Sequence, residues 1–244
     1  MRILGTVSYK GTNYAGWQKQ PNVISVQQEI ESQLSRFFNQ EINIYGAGRT
    51  DAGVHAFGQR FHFDIDTDVL DIDRLLYSIN RMLPDDIKII DFEEVDDDFH
   101  ARYSAVSKTY AYSIILSAKE PFFYDTAYLY PKPLDVELLK EALNKFIGSH
   151  NFKNFTSKEE DEQGFVRNIF SIEVESNESA VYILFNGNGF MRYMIRFIVG
   201  CALDVANGKY SLDLIDDLLD ENSDRHIISS KAPACGLTLI NVEY

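Results

Sequence analysis

A glycine-rich loop in the first quarter of the chain carries a carboxylate close to an arginine. Residues 46–59 read GAGRTDAGVHAFGQ and place Asp51 two positions after Arg49. Three glycines within eight residues allow positive φ angles and a close approach by another molecule. An aspartate in a turn more often bonds to its own backbone. The loop is therefore a candidate reactive site whose meaning depends on the rest of the chain.

Other chemistry in and around this loop is poorly supported by spacing. Asp51 stands where the third glycine of a dinucleotide-binding fingerprint belongs, and no Gly-Lys-Ser/Thr follows for a phosphate loop. His55 is interpreted as a turn or packing histidine. The three consecutive aspartates at 96–98 are typical of a solvated loop, because octahedral metal sites gather ligands from separate segments. The sequence thus predicts neither a nucleotide cofactor nor a metal.

Composition indicates a globular protein. The chain has 244 residues, of which 45% are hydrophobic and 13% aromatic, which is enough to bury a sizeable core. No apolar run approaches the roughly 18 residues of a membrane span, and the first residues turn polar too soon for a signal peptide. We expect a cytoplasmic protein with no membrane partner. Cys201 and Cys235 are predicted to be buried thiols rather than zinc ligands.

The net charge of −14 counts against a nucleic-acid partner, whose binding surface is normally basic. The acidic residues are, however, concentrated in four runs, at 64–73, 85–98, 158–162 and 213–224, which are typical of solvated faces. The segments that carry motifs hold Lys10, Lys19, Arg49, Arg60, Arg81, Arg102, Lys108, Arg167, Arg192 and Arg196. A local basic cleft within an acidic protein is compatible with this distribution.

Hydrophobic periodicity predicts six elements in the first half. Strands are expected at 2–9, 42–45, 57–65 and 87–94, and helices at 26–38 and 73–83. In the strand at 57–65, Phe57, Phe61, Phe63 and Ile65 are expected on one face, with Arg60, His62 and Asp64 on the other. The order β-α-β-β-α-β is that of a split βαβ unit, and Asp51 falls between its second and third strands.

The second half repeats this order with longer connections. Strands are predicted at 108–116, 169–175, 181–185 and 237–244, and helices at 136–147, 190–207 and 212–219. We therefore predict an α+β fold of two ferredoxin-like halves, 1–98 and 99–244. Their strands would form one mixed, mostly antiparallel sheet with helices on one face and a central active-site cleft. No flexible linker separates the halves.

Seven ordered segments resemble motifs of the TruA-type tRNA pseudouridine synthases. The resemblance begins with the loop around Asp51 and covers nearly the whole chain. The other six segments are YKGTNYAGWQKQ at 9–20, Val26-Gln27, NRMLPDDI at 80–87, FHARYSA at 99–105 with KTYAY at 108–112, GFMRYMIR at 189–196 with Ile198-Val199-Gly200, and Ala232-Pro233-Ala234 with Gly236-Leu237. Any one of these would be weak alone, whereas seven in order are specific.

The resemblance implies an enzyme that isomerises uridine to pseudouridine at positions 38 to 40 of the tRNA anticodon arm. Asp51 would be the essential acid that acts while the glycosidic bond moves from N1 to C5, and no cofactor would be needed. An ionised carboxylate can serve as nucleophile or base at neutral pH. Attack on C6, attack on C1′ and removal of a sugar proton all remain open. The family also implies a homodimer.

Arg196 is the candidate counter-charge for Asp51. A carboxylate in a partly dry pocket is pushed toward its neutral form unless an opposite charge lies close by. Arg196 lies four residues after Arg192 in an otherwise apolar helical stretch, and a buried arginine normally has a planar acidic partner. The alternative is a structural ion pair with another acid.

The remaining site residues are assigned roles by the resemblance. Tyr110 would stack on the displaced uracil, which offsets part of the lost base stacking, and Leu237 would line the base pocket. Core packing is the alternative for both. Arg49 is linked to extrusion of the target nucleotide. Trp17, Lys10 and Lys19 share a loop that would contact RNA, although a packed anchor is equally compatible with Trp17.

Two features depart from the family pattern. The connection at 154–167 has an acidic middle, at 158–162, in a loop that would face RNA. Lys108 stands where an arginine is usual and loses bidentate capacity. Two other functions compete with the isomerase. A silent RNA-binding module would not need Asp51 at its ligand surface, and a glycoside hydrolase would need a second carboxylate that no motif segment provides.

Overall fold

The computed structural model describes residues 1–67, 69–160, 164–226, 228 and 230–244. Asp161 and Glu162 of the acidic loop, and Asp68 of the first acidic run, therefore lie outside the described residues. Contacts between Cα atoms divide the chain into two compact units, one of Met1–Val106 with Thr238–Tyr244 and one of Ser107–Leu237. This division differs from the predicted halves 1–98 and 99–244, mainly because the last strand belongs to the first unit.

The first unit is an antiparallel sheet with two helices. Its elements are β1 (Arg2–Tyr9), α1 (Val26–Phe38), β2 (Tyr45–Gly46), β3 (His55–Asp64), α2 (Ile72–Met82) and β4 (Ile87–Val95). The strands follow the order β4-β1-β3 with β2 on β3, and each of these pairs is antiparallel. This is the strand arrangement of a split βαβ unit. The predicted strand at 42–45 is only a short pairing at Tyr45–Gly46.

Helix α1 begins and ends where its sequence provides caps. The Ser25 hydroxyl accepts a hydrogen bond from the Gln28 N–H, and Asn39 ends the helix in the left-handed conformation at φ 52°. Val26, Ile30 and Leu34 are buried along one face, which is the face that the i, i+4 spacing predicts.

Strand β3 separates a buried aromatic face from a polar one, with one exception at its start. Phe61 and Phe63 are fully buried. Arg60 points the other way, because its guanidinium donates to the Thr6 hydroxyl at 2.7 Å and lies over the Tyr244 ring. The prediction that Phe57 belongs to the buried face is wrong, since it is 68% exposed. Strict alternation fails there because the register of β1 against β3 shifts between Val7, opposite Gln59, and Tyr9, opposite Ala56.

The second unit also combines an antiparallel sheet with helices. Its elements are β5 (Ser107–Ile115), β6 (Tyr128–Leu129), α3 (Val136–Asn144), β7 (Gly148–Asn151), β8 (Val166–Ser176), β9 (Ala180–Gly187), α4 (Met194–Ala206) and α5 (Asp213–Leu219). The order is β5-β9-β8-β7, all antiparallel, with β6 parallel to β5. The predicted helix at 190–207 starts later, at Met194, because Tyr193 adopts φ 65°. The α+β class with mostly antiparallel strands is confirmed.

The closing strand β10 (Leu237–Glu243) covers the start of β3. It pairs in parallel with β3 through Thr238 opposite His55 and Leu239 opposite Ala56. The two backbones meet closely, since a Cβ at Gly58 would lie 2.4 Å from the Ile240 carbonyl oxygen. The end of β3 that adjoins the loop of Asp51 is therefore held firmly.

Candidate active site

Asp51 lies at the start of a tight turn between β2 and β3. The Val54 N–H donates to the Asp51 carbonyl oxygen at 3.1 Å, and Gly53 within the turn has φ 77°, a conformation that glycine adopts without strain. The Asp51 side chain is half-buried, whereas Thr50 beside it is buried. The turn thus keeps the carboxylate at the surface of the unit while its backbone is anchored below.

Thr50 fixes the main chain one residue before the carboxylate. The hydroxyls of Thr50 and Tyr9 share a buried hydrogen bond of 2.8 Å, and the Thr50 carbonyl accepts from the Trp17 N–H at 3.1 Å. Gly16 makes this approach possible, because it has φ 96° and a Cβ there would lie 2.6 Å from the Thr50 oxygen. Gly16, the second glycine of the 9–20 motif, is therefore required by the loop that carries Asp51.

Trp17 forms the floor of the loop rather than a contact surface. Its side chain is 2% exposed, and its ring centroid lies 6.0 Å from that of Tyr9 and 6.2 Å from that of Phe61. A Cβ at Gly46 would lie 2.5 Å from the indole Nε1. The indole has no surface left for RNA, so the packed-anchor alternative replaces the substrate contact predicted for Trp17.

The remaining loop contacts direct Arg49 outward. Ala47 N–H donates to the Arg60 carbonyl at 2.7 Å, and the Gln59 amide donates to the Gly48 carbonyl at 3.0 Å. Arg49 itself is exposed and has no ion pair or hydrogen bond with the described residues. Its guanidinium is therefore available to a ligand. His55 is buried, and its Nδ1 accepts from the Gly11 N–H at 3.0 Å, which is a packing role.

The buried side chain of Glu31, which the sequence did not single out, connects α1 to the segment at Ile44 that precedes the Asp51 loop. Glu31 accepts hydrogen bonds from the Ile44 N–H at 3.1 Å and the Gln27 amide at 2.9 Å. Lys19, predicted to contact substrate, donates to Glu31 at 3.1 Å. The Lys19 side chain stays half-exposed, so a role toward RNA remains a prediction alongside this ion pair. Lys10 is exposed beside the same segment.

Tyr110 and Leu237 both lie in the second unit and are buried. Tyr110, on β5, meets the Phe190 ring edge-to-face at 5.3 Å between centroids. Leu237 follows Gly236, where a Cβ would lie 2.7 Å from the Tyr112 ring. The Tyr112 hydroxyl donates to the Pro233 carbonyl at 2.8 Å, and burial raises its pKa well above the usual value. This contact ties the closing motif to β5.

Arg196 enters from the first turn of α4 and is 9% exposed. Its Nε donates to the Ala232 carbonyl at 2.8 Å, and the Ala232 N–H donates back to the Arg196 carbonyl at 3.0 Å. Four residues on, a Cβ at Gly200 would lie 2.1 Å from the Ser230 oxygen. The closing segment therefore lies directly against α4 and orients the guanidinium. An ion pair between Arg196 and Asp51 stays a prediction.

Among the described residues, neither the two cysteines nor a cluster of acidic side chains provides an ionised thiol or a metal site. Burial raises the pKa of the Cys201 thiol to about 12 and also raises that of Cys235, so neither thiol is ionised at neutral pH. Within the described ranges, no cluster of three or more histidine, cysteine, aspartate or glutamate side chains could hold a metal ion. The same residues contain no helix long and apolar enough to cross a membrane.

The fold and the loop define a protein that presents one carboxylate on a glycine-dependent turn of an α+β unit. The family model described as tRNA pseudouridine synthase matches residues 6–104 and 142–244. The tRNA pseudouridine synthase A of Streptococcus mutans is 39% identical over 248 residues, covering 100% of this chain and 99% of that protein. The protein of the same name from a Geobacillus species is 40% identical over 245 residues, covering 100% and 98%.

These matches establish the family. The chain belongs to the tRNA pseudouridine synthases. Among solved structures, the archaeal box H/ACA sRNP Nop10-Cbf5 complex contains a chain with 14% identity and a TM-score of 0.37, covering 82% of this chain and 44% of that one. That TM-score is too low to support any argument about shared architecture.

Proposed function

We propose that this protein isomerises uridine to pseudouridine in the anticodon stem-loop of tRNA, at positions 38 to 40, with Asp51 as the essential acid. The family match supports the reaction. The observation that carries the assignment to Asp51 is the loop itself, in which Thr50 is anchored on both sides while the next side chain stays half-exposed. Such anchoring limits the motion of a reactive group and so favours a productive geometry.

A single carboxylate can supply the nucleophile or base that this reaction needs. The N1–C1′ bond breaks, the uracil turns, C5 bonds to C1′ and loses its proton, and N1 gains a proton, so that the product is an isomer of the substrate. Asp51 acts as nucleophile or base in this sequence. No redox change occurs and no group is transferred to a second molecule. The proposal therefore involves no cofactor.

Arg196, Tyr110, Leu237 and Arg49 complete the proposed site. A guanidinium close to Asp51 would keep the carboxylate ionised, and burial of Arg196 supports a role beyond solvation. Tyr110 and Leu237 would contact the uracil. The exposed Arg49 would occupy the space that the extruded nucleotide leaves or hold its phosphate. Homodimerisation and a cytoplasmic location belong to the same proposal and are supported by the family alone.

The test is pseudouridine mapping in unmodified tRNA transcripts with and without the protein. The wild type is expected to convert uridine at positions 38 to 40 without added metal or nucleotide. Asp51→Asn should lower turnover on the order of 10³-fold or more, because the variant loses the reacting group, while tRNA affinity stays within about threefold. Asp96→Asn changes an exposed loop aspartate in the same unit and should leave turnover unchanged.

Two results would contradict these assignments. Unchanged turnover in Asp51→Asn would reject Asp51 as the essential acid, and conversion elsewhere in the tRNA would reject the anticodon assignment. Arg196→Met is expected to lower the rate, and Arg196→Lys to restore part of it, because charge returns without the planar fork. A normal rate for Arg196→Met would remove this residue from the site.

A further inference from the structure

Three cations surround the ring of Tyr193 in the second unit. The Lys231 Nζ lies 4.0 Å from the ring centroid, the Arg192 Cζ 4.7 Å and the Arg196 Cζ 5.3 Å. All three distances fall within the range of a cation–π contact. The sequence shows two of these charges four residues apart on one segment. It gives no sign that Lys231, more than thirty residues later, joins them.

The positions of these groups are fixed by contacts outside the ring. Arg192 donates from Nη2 to the Tyr193 hydroxyl at 2.9 Å, and its carbonyl accepts from the buried Thr156 hydroxyl at 3.0 Å. Lys231 precedes Ala232, which exchanges two hydrogen bonds with Arg196. The cluster of Arg192, Tyr193 and Lys231, hereafter the Tyr193 cluster, is thus a fixed arrangement of donors.

The charge of this cluster is not balanced by the described part of the chain. Arg192 and Lys231 are both exposed, and neither forms an ion pair with a described carboxylate. Asp204 accepts a hydrogen bond from the hydroxyl of Ser230, the residue before Lys231, but its carboxylate is paired with Lys209 at 2.8 Å. In a chain of net charge −14, close like charges without a counter-ion mark a place that attracts an anion.

The backbone of Tyr193 is the second independent sign of function. Its φ of 65° and ψ of 0° lie in the left-handed region. Among the described residues, the other non-glycine positions with positive φ are Asn22 and Asn39, and asparagine tolerates this region because its side chain can bond locally. A bulky aromatic residue there is strained, and such strain is concentrated at functional sites. This backbone conformation belongs to the residue whose ring the three cationic groups approach.

We propose that the Tyr193 cluster binds a backbone phosphate of the substrate RNA. Phosphate oxygens can accept hydrogen bonds from the Arg192 guanidinium, the Lys231 ammonium group and the Tyr193 hydroxyl. Both cations lie close to the same ring, so their donors are close together. The cluster lies beside Arg196, so the phosphate would belong to a nucleotide close to the target uridine. This inference rests on the proposed function in taking RNA as the substrate and in placing Arg196 at the site of the target uridine.

The test is the salt dependence of binding to an unmodified tRNA transcript, measured by fluorescence anisotropy from 50 to 200 mM KCl. Each phosphate contact that is lost should reduce the slope of log affinity against log salt by about 0.7 to 0.9. Arg192→Gln and Lys231→Gln are each expected to show this reduction, with affinity about three- to tenfold lower. Lys140→Gln, at a partly exposed lysine of α3 paired with Glu137, controls for loss of charge alone.

Tyr193→Asn separates binding from folding. Asparagine accepts the left-handed backbone, so the midpoint of urea unfolding should not fall, whereas KM for tRNA should rise severalfold with kcat nearly unchanged. Slopes for Arg192→Gln and Lys231→Gln equal to that of the wild type would overturn the proposal. In a second contradicting outcome, inorganic phosphate competes with tRNA at constant ionic strength in the wild type but not in the variants, and the salt slopes of the variants are unchanged. The cluster is then a site for free anions, and the proposal of an RNA phosphate is overturned.

The same measurements distinguish this inference from the proposed function. Reduced slopes in a protein that forms no pseudouridine would support the cluster and reject the isomerase assignment. Pseudouridine formation with unchanged slopes would support the isomerase and reject the cluster.

Discussion

In the first unit the loop of Asp51 is held largely through its own main-chain carbonyl and N–H groups, together with one buried hydroxyl pair. In the second unit the cations near Arg196 are gathered around a side-chain ring. The Thr50 carbonyl oxygen accepts a hydrogen bond from the Trp17 N–H, and it comes so close to Gly16 that a side chain there would clash with it. Around Tyr193, by contrast, the defining contacts are a ring, a hydroxyl and three cationic groups.

This difference suits the two tasks proposed for them. A reacting carboxylate needs a position that varies little, and backbone contacts with glycine leave little freedom. A phosphate contact needs charge and donors more than a single fixed geometry, and arginine and lysine side chains supply these. Mutations of the residues that hold the Asp51 loop should therefore affect folding and turnover together, while those at the Tyr193 cluster should affect RNA affinity alone.

Trp17→Ala is the strongest test of this contrast. Because the indole is buried beneath the loop, its removal should lower the free energy of unfolding by about 3 to 5 kcal/mol, measured by urea denaturation. Tyr193→Asn should show no such loss. If Trp17→Ala kept its stability and lost only tRNA affinity, Trp17 would be the RNA contact that its sequence position first indicated.

Gly16→Ala should show an intermediate effect. The added Cβ meets the Thr50 carbonyl, and alanine disfavours φ 96°, so the expected cost is about 1 to 3 kcal/mol with a tenfold or greater fall in turnover. Gly189→Ala, where nothing lies within 4 Å of the added Cβ, is the matched control in the second unit. Equal turnover in the two variants would show that the Gly16 approach does not position Asp51.

Acidification should weaken the first unit through His62. Burial, reinforced by His100 and Arg2, lowers the pKa of His62 to about 4. In the unfolded chain His62 takes up its proton near pH 6.5, whereas in the folded protein it does so only near pH 4. The contribution of neutral His62 to the free energy of unfolding is therefore fully present above pH 6.5 and is lost as the pH falls toward 4. The loss should reach at most about 2 kcal/mol at pH 5.

Urea unfolding of the wild type and of His62→Gln at pH 7 and pH 5 measures this effect. The variant should lose less stability between the two pH values, although a part of the loss remains because the pKa of His100 is also lowered. The lowered pKa of Asp64 acts only at lower pH, since its usual value is 3.8. An identical pH dependence in both proteins would exclude His62 as its source.

The amino-acid sequence by itself determined most of the elements and their order, but not the short strands β6 and β7. Hydrophobic period predicted the bounds of β1 and α1, because it depends on neighbours along the chain. The motifs pointed to the family, which the matches confirmed, and to Asp51, whose role stays a prediction. Local pattern failed at Phe57 and at the start of α4, where neighbouring strands and the conformation of Tyr193 decide the outcome.

Only the tertiary structure decided which residues support the site. Trp17 could pack or bind RNA until the approach of Gly46 and Phe61 buried it. Glu31 and Lys231 carried no signal, because a buried hydrogen-bond acceptor or a third cation is defined by groups far away in sequence. Local propensity is written in adjacent residues, whereas burial and charge clustering are properties of distant residues brought together by folding.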